Sequence, residues 1–569
     1  MSRNRRARKT SFSAQHADTG RLFTKREVHM IDVPVLIVGG GPVGLTASIL
    51  LSRLGVASRL IERHPGTAFH PKARNINMRT MEVFRQCGVE DAVRTSGLAM
   101  ERTVYLIWAE SLAGREIERR MPKRSNTTGP DAPSAVRHCL CAQDDLEPAL
   151  RRYAESLAPG TVGFGTELLH FEQDAAGVTA TVRTAAGESQ IRAQFMVAAD
   201  GARSRVRPAL GIPLHGMREV YRSVNVLMKA DLSPWVKERP AAIYLIQQPG
   251  LRCTFLTING VNRWGFLINL PVDAAFEPYT PQHCAAIVRQ AAGVPDLEVE
   301  ILGVDPWVAA SLVAERFGAG RVFIAGDAAH EMPPTGGFGL NTGVQDVHNL
   351  AWKIAAVLKG WGRPEVLDTY DAERRPWGQF VTDEALKSAI SMGRGPQTHG
   401  ASSGAPLLAR PEFHSELGII FGASYASSAV VPDGTTASAL DNPVAQYVPS
   451  ARPGGRAPHV WLERNGARIS TQDLIGMGFA LFAGERGAPW RDAARAVFAK
   501  LAVPMTAYTV GADSDVGDPE RKWAPAYGVE PDGAVLIRPD GHVAWRERSG
   551  ARDSESAIEG VLRAILSRA

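Results

Sequence analysis

The chain has 569 residues and a mass of 61.3 kDa, with 44% hydrophobic and 22% charged residues, which excludes a disordered or fibrous protein and gives room for two to four domains of ~100–200 residues. Its net charge is +5, but Met1 to Met30 alone holds eight Lys or Arg against Asp18 and Glu27, so the rest of the chain nets −1 and its charge argues for neither a nucleic-acid nor a membrane partner. Five sparse cysteines, none of them after Cys284, exclude a disulfide scaffold and suit reduced thiols, so a soluble protein in the cytoplasm is expected.

Residues 1–30 lack an apolar core of signal-peptide type and any folding periodicity, and read as a disordered basic leader whose Met30 is a candidate true start. From Val33 an apolar run of strand length ends in Gly39-Gly40-Gly41-Pro42-Val43-Gly44, opens into an apolar segment of helical length, and returns in Leu60-Ile61-Glu62. Gly39, Gly41 and Gly44 fit G-x-G-x-x-G. One glycine turns the chain, one lets a pyrophosphate approach bare backbone, and one lets helix and strand pack closely. Phosphates then lie at the positive end of the helix, and Glu62 is placed to accept from a ribose. The fingerprint alone leaves NAD and FAD open. Val33 to Ser52 is uncharged and long enough to cross ~30 Å of hydrocarbon, but three glycines and Pro42 at its centre break such a helix.

Next comes a basic loop, His70-Pro-Lys72-Ala-Arg74-Asn75, then a helix from about Met78 to Cys87 that stops at Gly88. His138-Cys139-Leu-Cys141 has no second ligand pair, so no metal site is expected. Around Gln143 a capping Asp and early acids predict a helix to about Ser156. Residues 163–199 read as an antiparallel meander delivering a buried strand, Phe195 to Ala199, that ends in Asp200-Gly201 and three arginines. Residues 211–304 change to β-rich, aromatic runs and read as a β-sheet domain. A third buried strand, Arg321 to Ala325, leads into Gly326-Asp327-Ala-Ala-His330 and the glycine-rich Pro334 to Asn341, followed by a helix to about Lys359. Past Trp361 the chain is helical to about Ser391, and 393–452 reads as linker and loop. From 453 the pattern restarts as strand, helix from Ser470, strand, helix, strand, hairpin and helix. That order resembles a thioredoxin-like domain, here without redox cysteines.

Gly39-x-Gly41-x-x-Gly44 with Glu62, Asp200-Gly201-x-x-Ser204-x-x-Arg207, and Gly326-Asp327-Ala-Ala-His330 with Pro334-x-Gly336-Gly337-x-Gly339-x-Asn341 together resemble the single-component FAD-dependent aromatic hydroxylases of the p-hydroxybenzoate hydroxylase type. The C-terminal piece is similar to that of the long branch holding phenol hydroxylase and the polyketide-tailoring enzymes. The resemblance implies an α/β fold: a Rossmann-like FAD-binding domain over 31–210 and 305–392, an inserted β-sheet substrate domain over 211–304, and a thioredoxin-like domain over 453–569. It implies FAD contacts at Gly39, Gly41, Pro42, Val43, Gly44, Glu62 and Arg63, with Arg74 and Gln143 near the pyrophosphate. Asp200 is implied in FAD contact and NAD(P)H use, Asp327 on the ribityl chain, and Pro334, Gly337, Gly339, Leu340 and Asn341 about the isoalloxazine. NADH or NADPH then reduces FAD, O2 forms a C4a-hydroperoxide, and a phenolic ring takes the distal oxygen.

The expected substrate is a polycyclic, polyketide-like phenol, and a homodimer is an expectation of the same kind. Baeyer–Villiger oxygenation, degradative phenol hydroxylation and sequestration of a reactive intermediate without oxidation stay open. No catalytic base is assigned; Tyr221, Tyr244, Arg252 and Trp264 lie on strands able to face the pocket. The absence of Trp-x-Trp-x-Ile-Pro disfavours a flavin halogenase; the one G-x-S-x-G, Gly400 to Gly404, falls in the Gly/Ser/Pro-rich linker stretch rather than between a strand and a helix, and with no G-x-x-x-x-G-K-[ST] present the hydrolase and P-loop readings are set aside.

Overall fold

A computed structural model describes residues 31–98, 105–120, 129, 132–270, 273–392, 416–550 and 553–568. The leader and residues 393–415 of the expected linker lie outside the described residues. Five parallel strands make the body of the first sheet, in the order Val322–Ile324, Gly187–Ala198, Ile31–Val38, Ser58–Glu62 and Val162–Phe164. Helices cover it, among them Pro42–Arg53 and Gly339–Leu358, which explains why Val35, Leu36 and Ile37 form an unbroken apolar run rather than an alternating one. The register sets Val38 beside Ile61 and Ala198, and Ala198 beside Ile324. The carboxyl ends of the strands are therefore level, and the segments that follow emerge together along one edge, where open α/β sheets bind ligands.

The second sheet has eight strands. Their order is His330–Glu331, Glu300–Ala314, Leu214–Lys229, Arg263–Leu270, Leu251–Thr257, Ala241–Gln248, Tyr105–Ala109 and Glu116–Arg120. Segments on both sides of 211–304 thus contribute to it. Strand alternation gives it two faces. Val224, Val226, Phe255 and Phe266 share a core with Cys284 and Val288 of the helix Pro281–Ala292, and the opposite face looks toward the first sheet across a cavity.

The C-terminal domain is thioredoxin-like. Its four strands run Met505–Thr509, Phe479–Ala483, Ala534–Ile537 and Val543–Glu547, with the first two parallel and joined through the helix Ala488–Leu501. Trp352 and Trp361 stack at 6.4 Å and both meet the edge of Phe479, so this domain extends the core of the first. The helix expected from Ser470 is instead a single 3-10 turn, Thr471–Leu474, closed by a capping box between Ser470 and Asp473. Gly476 and Gly478 follow directly and lead into the strand at Phe479, leaving no length for a helix. The capping aspartate expected at the 143 helix is also corrected. Ala142 is the N-cap without a side-chain bond, and Asp144, inside the first turn, is drawn away to Arg263 of the second sheet. The helix Met78–Cys87 ends at Gly88 in the left-handed conformation, as its sequence predicts.

Candidate active site

The three glycines of the first loop do three separate jobs. Gly39 has φ +113°, and a Cβ there would collide with the carbonyl of Ala199. A Cβ on Gly44 would strike the carbonyl of Gly39, so helix and turn are in direct backbone contact. At Gly41 a Cβ would meet only Glu147 Oε1, 3.9 Å away, which leaves that peptide open to a ligand lying on the helix N-terminus. Glu62 accepts the N–H of Gly40 at 2.7 Å and of His64 at 2.9 Å, which fixes its carboxylate at the strand end beside the turn.

A cavity of about 1590 Å³ runs from this loop to the second sheet. One ligand site usually needs ~300–1,000 Å³, so there is space for a cofactor and a second molecule. Gly39, Gly41, Pro42, Val43, Glu62, Arg63, Arg74, Gln143, Asp200, Asp327, Pro334, Gly337, Gly339 and Leu340 all line it. Gly44 lies behind the turn. Asn341 is buried and outside the lining. Its amide donates to the carbonyls of Asn75 and Gly337, and its Oδ1 accepts from the N–H of Asn77, so it ties two cavity loops together. Arg74 spans to the second sheet, donating to the carbonyls of Thr257 and Ala242 at 2.9 and 2.8 Å. Gln143 donates to Glu147 at 2.7 Å, and Glu147 also accepts the N–H of Ala68.

The acids of the opposite wall are less satisfied. Asp200 Oδ2 accepts the N–H groups of Arg205 and Val206, while its Oδ1 is buried without a partner. Asp327 is enclosed by protein but open toward the cavity. That enclosure pushes its carboxyl up, against the pull of His330 and Lys72. Glu331 is pushed up to about 7 by burial first and by neighbouring Asp327 second, with Arg207 and Arg218 opposing. A carboxylate open to an otherwise enclosed space suits a polyol, and the bare turn at Gly41 with the helix N-terminus behind it suits a pyrophosphate. The residues present therefore fit FAD.

Of the four strand residues considered for the pocket, Tyr221 lines it. Tyr244 and Trp264 face the other way, into the core beneath the sheet, bonded to the carbonyls of Arg239 and Ala230. Arg252 is outside the lining. Alternation explains the split, because Tyr244 and Trp264 have the opposite parity to the cavity row on their strands.

Sequence reasoning missed a buried relay behind the Gly326–Asp327 loop. Asp346, fully buried on the Gly339–Leu358 helix, binds His330 Nε2 at 2.7 Å, Arg374 Nε at 2.9 Å and the N–H of Gly326 at 3.1 Å. Arg374 continues to Tyr425 Oη at 3.1 Å. Nothing in the local pattern separates Asp346 from a solvated helix residue, since its partners come from 16 and 28 residues away. Cys139 and Cys141 are buried, with thiols pushed up mainly by that burial. Among the described residues no three His, Cys, Asp or Glu side chains gather as metal ligands would, and no helix is long and apolar enough to cross a membrane.

Comparison with known proteins follows the same division of the chain. Residues 32–385 match the family description "FAD binding domain", and 450–569 match "Aromatic-ring hydroxylase, C-terminal". Aklavinone 12-hydroxylase RdmE of Streptomyces purpurascens is 39% identical over 94% of this chain and 99% of its own. Tetracenomycin A2 monooxygenase-dioxygenase of Streptomyces glaucescens is 38% identical over 94% and 97%. The flavin-dependent monooxygenase PieE, solved with FAD and substrate, superposes with a TM-score of 0.86 at 35% identity, covering 95% of this chain and all of that one.

Proposed function

The chain belongs to the FAD-dependent aromatic-ring hydroxylases, and from that premise we propose that it uses NAD(P)H and O2 to hydroxylate an uncharged polycyclic phenol of polyketide type. FAD, when bound, supplies the chemistry by taking hydride from the nicotinamide and activating oxygen. The protein's own residues bind, orient and exclude water. Glu62 and Asp327 are placed to hold hydroxyls of the cofactor, and Gly41 with the following helix its phosphates. The N-terminus of the Gly339–Leu358 helix lines the same cavity and would favour negative charge on a ring system bound there.

The observation that carries the reading is the wall of the second sheet. It shares one cavity with the cofactor cradle, and the side chains lining it there are mostly apolar and neutral: Leu245, Leu256 and Trp108 beside Ser223, Asn225 and Thr254. Such a surface suits a flat aromatic with a few oxygen substituents better than a small carboxylate or a charged sugar. The aklavinone and tetracenomycin enzymes named above act on ring systems of that kind by name. The test is to supply hydroxyanthraquinones and related polyketides to the FAD-loaded protein and follow NAD(P)H oxidation. The expected result is acceleration with a product heavier by one oxygen, drawn from labelled O2. Stimulation by monocyclic phenols alone, or by no phenol, overturns the proposal.

A further inference from the structure

The register of the second sheet aligns six side chains in one row across the cavity wall. Asp305 pairs with Asn225, Asn225 with Leu267, Leu267 with Thr254, Thr254 with Leu245, and Leu245 with Trp108, and all six line the cavity. At ~4.8 Å per strand the row is about 24 Å long, enough for several fused rings. It is apolar at the Trp108 end and grows polar toward Asp305, its only ionisable member.

The Asp305 side chain makes no hydrogen bond or ion pair among the described residues. Its register partner is committed elsewhere, for Asn225 Oδ1 takes the indole N–H of Trp307 at 2.7 Å. The helix Thr369–Ser391 meets this strand through the apolar Leu386 and Ala389 beside Trp307. The ionisable side chain seen to interact with the Asp305 charge is His70. His70 packs over Gly303 and senses the charges of both Asp305 and Lys72. Both His70 ring nitrogens are buried without a hydrogen-bond partner, so the imidazole is not bonded to the carboxylate, and burial holds it toward its neutral form with Asp305 opposing. Half-buried and open to the cavity, this carboxylate is free to accept a hydrogen bond from a ligand hydroxyl in place of water.

Resting on the proposed function, we infer that Asp305 is the catalytic residue that receives the phenolic O–H of the substrate, with the hydrocarbon rings laid along Leu267 and Leu245 toward Trp108. In the ground state the hydroxyl donates a hydrogen bond to the carboxylate. As an electrophilic oxygen adds to the ring, the ring gains positive character and its hydroxyl becomes strongly acidic. The proton then passes to an Asp305 oxygen; the substrate O–H bond breaks, a carboxyl O–H forms, and the electron pair stays on the phenolic oxygen. Asp305 itself is neither oxidised nor reduced. A base in this position typically contributes ~10²–10⁴-fold to rate.

The test uses alizarin, a hydroxyanthraquinone whose colour changes when its phenol ionises, with the FAD-loaded wild type and D305N and D305S, each checked for full FAD content. In the wild type the neighbouring carboxylate opposes a second negative charge, so the bound dye should ionise about one pH unit or more above its midpoint in either variant. With a polyketide that stimulates NAD(P)H oxidation, D305N should bind within about threefold of the wild type, because its amide oxygen still accepts. Its product formation should fall roughly 10²-fold or more, and the acid limb of the wild-type pH profile should vanish. Equal dye midpoints, a dye that fails to bind the wild type, or wild-type hydroxylation by D305N each overturn the assignment. The dye titration requires no turnover, so a failure to find any stimulating substrate strikes the proposed function and leaves this reading to be judged separately.

Discussion

The buried charges where the C-terminal domain docks and the acids that line the cavity are the same residue types in opposite circumstances. At the docking surface, fully buried Glu373 accepts from Arg538 at 2.6 and 2.8 Å, from Lys353 at 2.8 Å and from Asn349 at 2.6 Å, while Asp540 pairs with the same Arg538. A second cluster joins Glu82 to Arg79 at 2.9 Å and to Arg456. Burial opposes ionisation in both, yet the cations win. Glu373 and Asp540 are held well below the usual carboxylate range, and Glu82 falls to about 2. In the cavity, Asp327 and Glu331 are surrounded by protein without such partners and are pushed up instead. A matched buried charge is fixed architecture, whereas an unmatched one marks a place for a ligand.

Breaking the docking cluster should have the largest effect. R538A leaves Glu373 and Asp540 without their shared cation and should cost about 3–5 kcal/mol of stability, read by denaturant unfolding of the FAD-loaded protein. A variant as stable as the wild type would mean the cluster is not matched as described. Acid sharpens the same point. Because the Glu82 pKa is depressed when folded, its contribution is complete above the unfolded value near 4.5 and is lost as pH falls from there toward 2. The loss is on the order of 3 kcal/mol, and unfolding midpoints across that window should show E82Q insensitive where the wild type is not.

The cavity acids should behave in the reverse way. D327A should leave the stability of the apoprotein little changed but weaken FAD binding roughly ten- to a hundredfold, the worth of a hydrogen bond to a charged group, measured by flavin fluorescence titration. The smallest effect belongs to Glu331. Its folded pKa is raised, so the side chain adds no cost below about pH 4.5 and becomes a liability as pH rises through about 7. Half-exposure reduces the size of that term. E331Q should therefore raise the melting temperature of the apoprotein slightly at about pH 8 and not at about pH 4; a rise at both would show that packing, not charge, is responsible.

Local pattern made the nucleotide half legible. Gly39, Gly41 and Gly44 each have a distinct backbone task, and such tasks restrict residue type wherever the turn occurs. The strand runs of the second sheet could be read from alternation, but which face met the cavity could not. Tyr244 and Trp264 look as suitable as Tyr221 until the register assigns them to the core. Asp305 was passed over for the same reason: its meaning comes from Asn225, Leu267 and Trp108, all distant in sequence. Asp144 shows tertiary structure overriding a local preference, since an N-cap bond to one amide is weaker than an ion pair with Arg263.

The sequence by itself determined the three loops that line the cavity, the parallel strands that carry them and the thioredoxin-like order of the C-terminal elements, because steric limits on glycine and the period of apolar residues act between near neighbours. The tertiary structure alone decided which charges are matched and which face open space, and so where a substrate hydroxyl has somewhere to go. Electrostatic matching is a sum over neighbours in three dimensions, and the chain brings those neighbours from as far apart as Glu82 and Arg456.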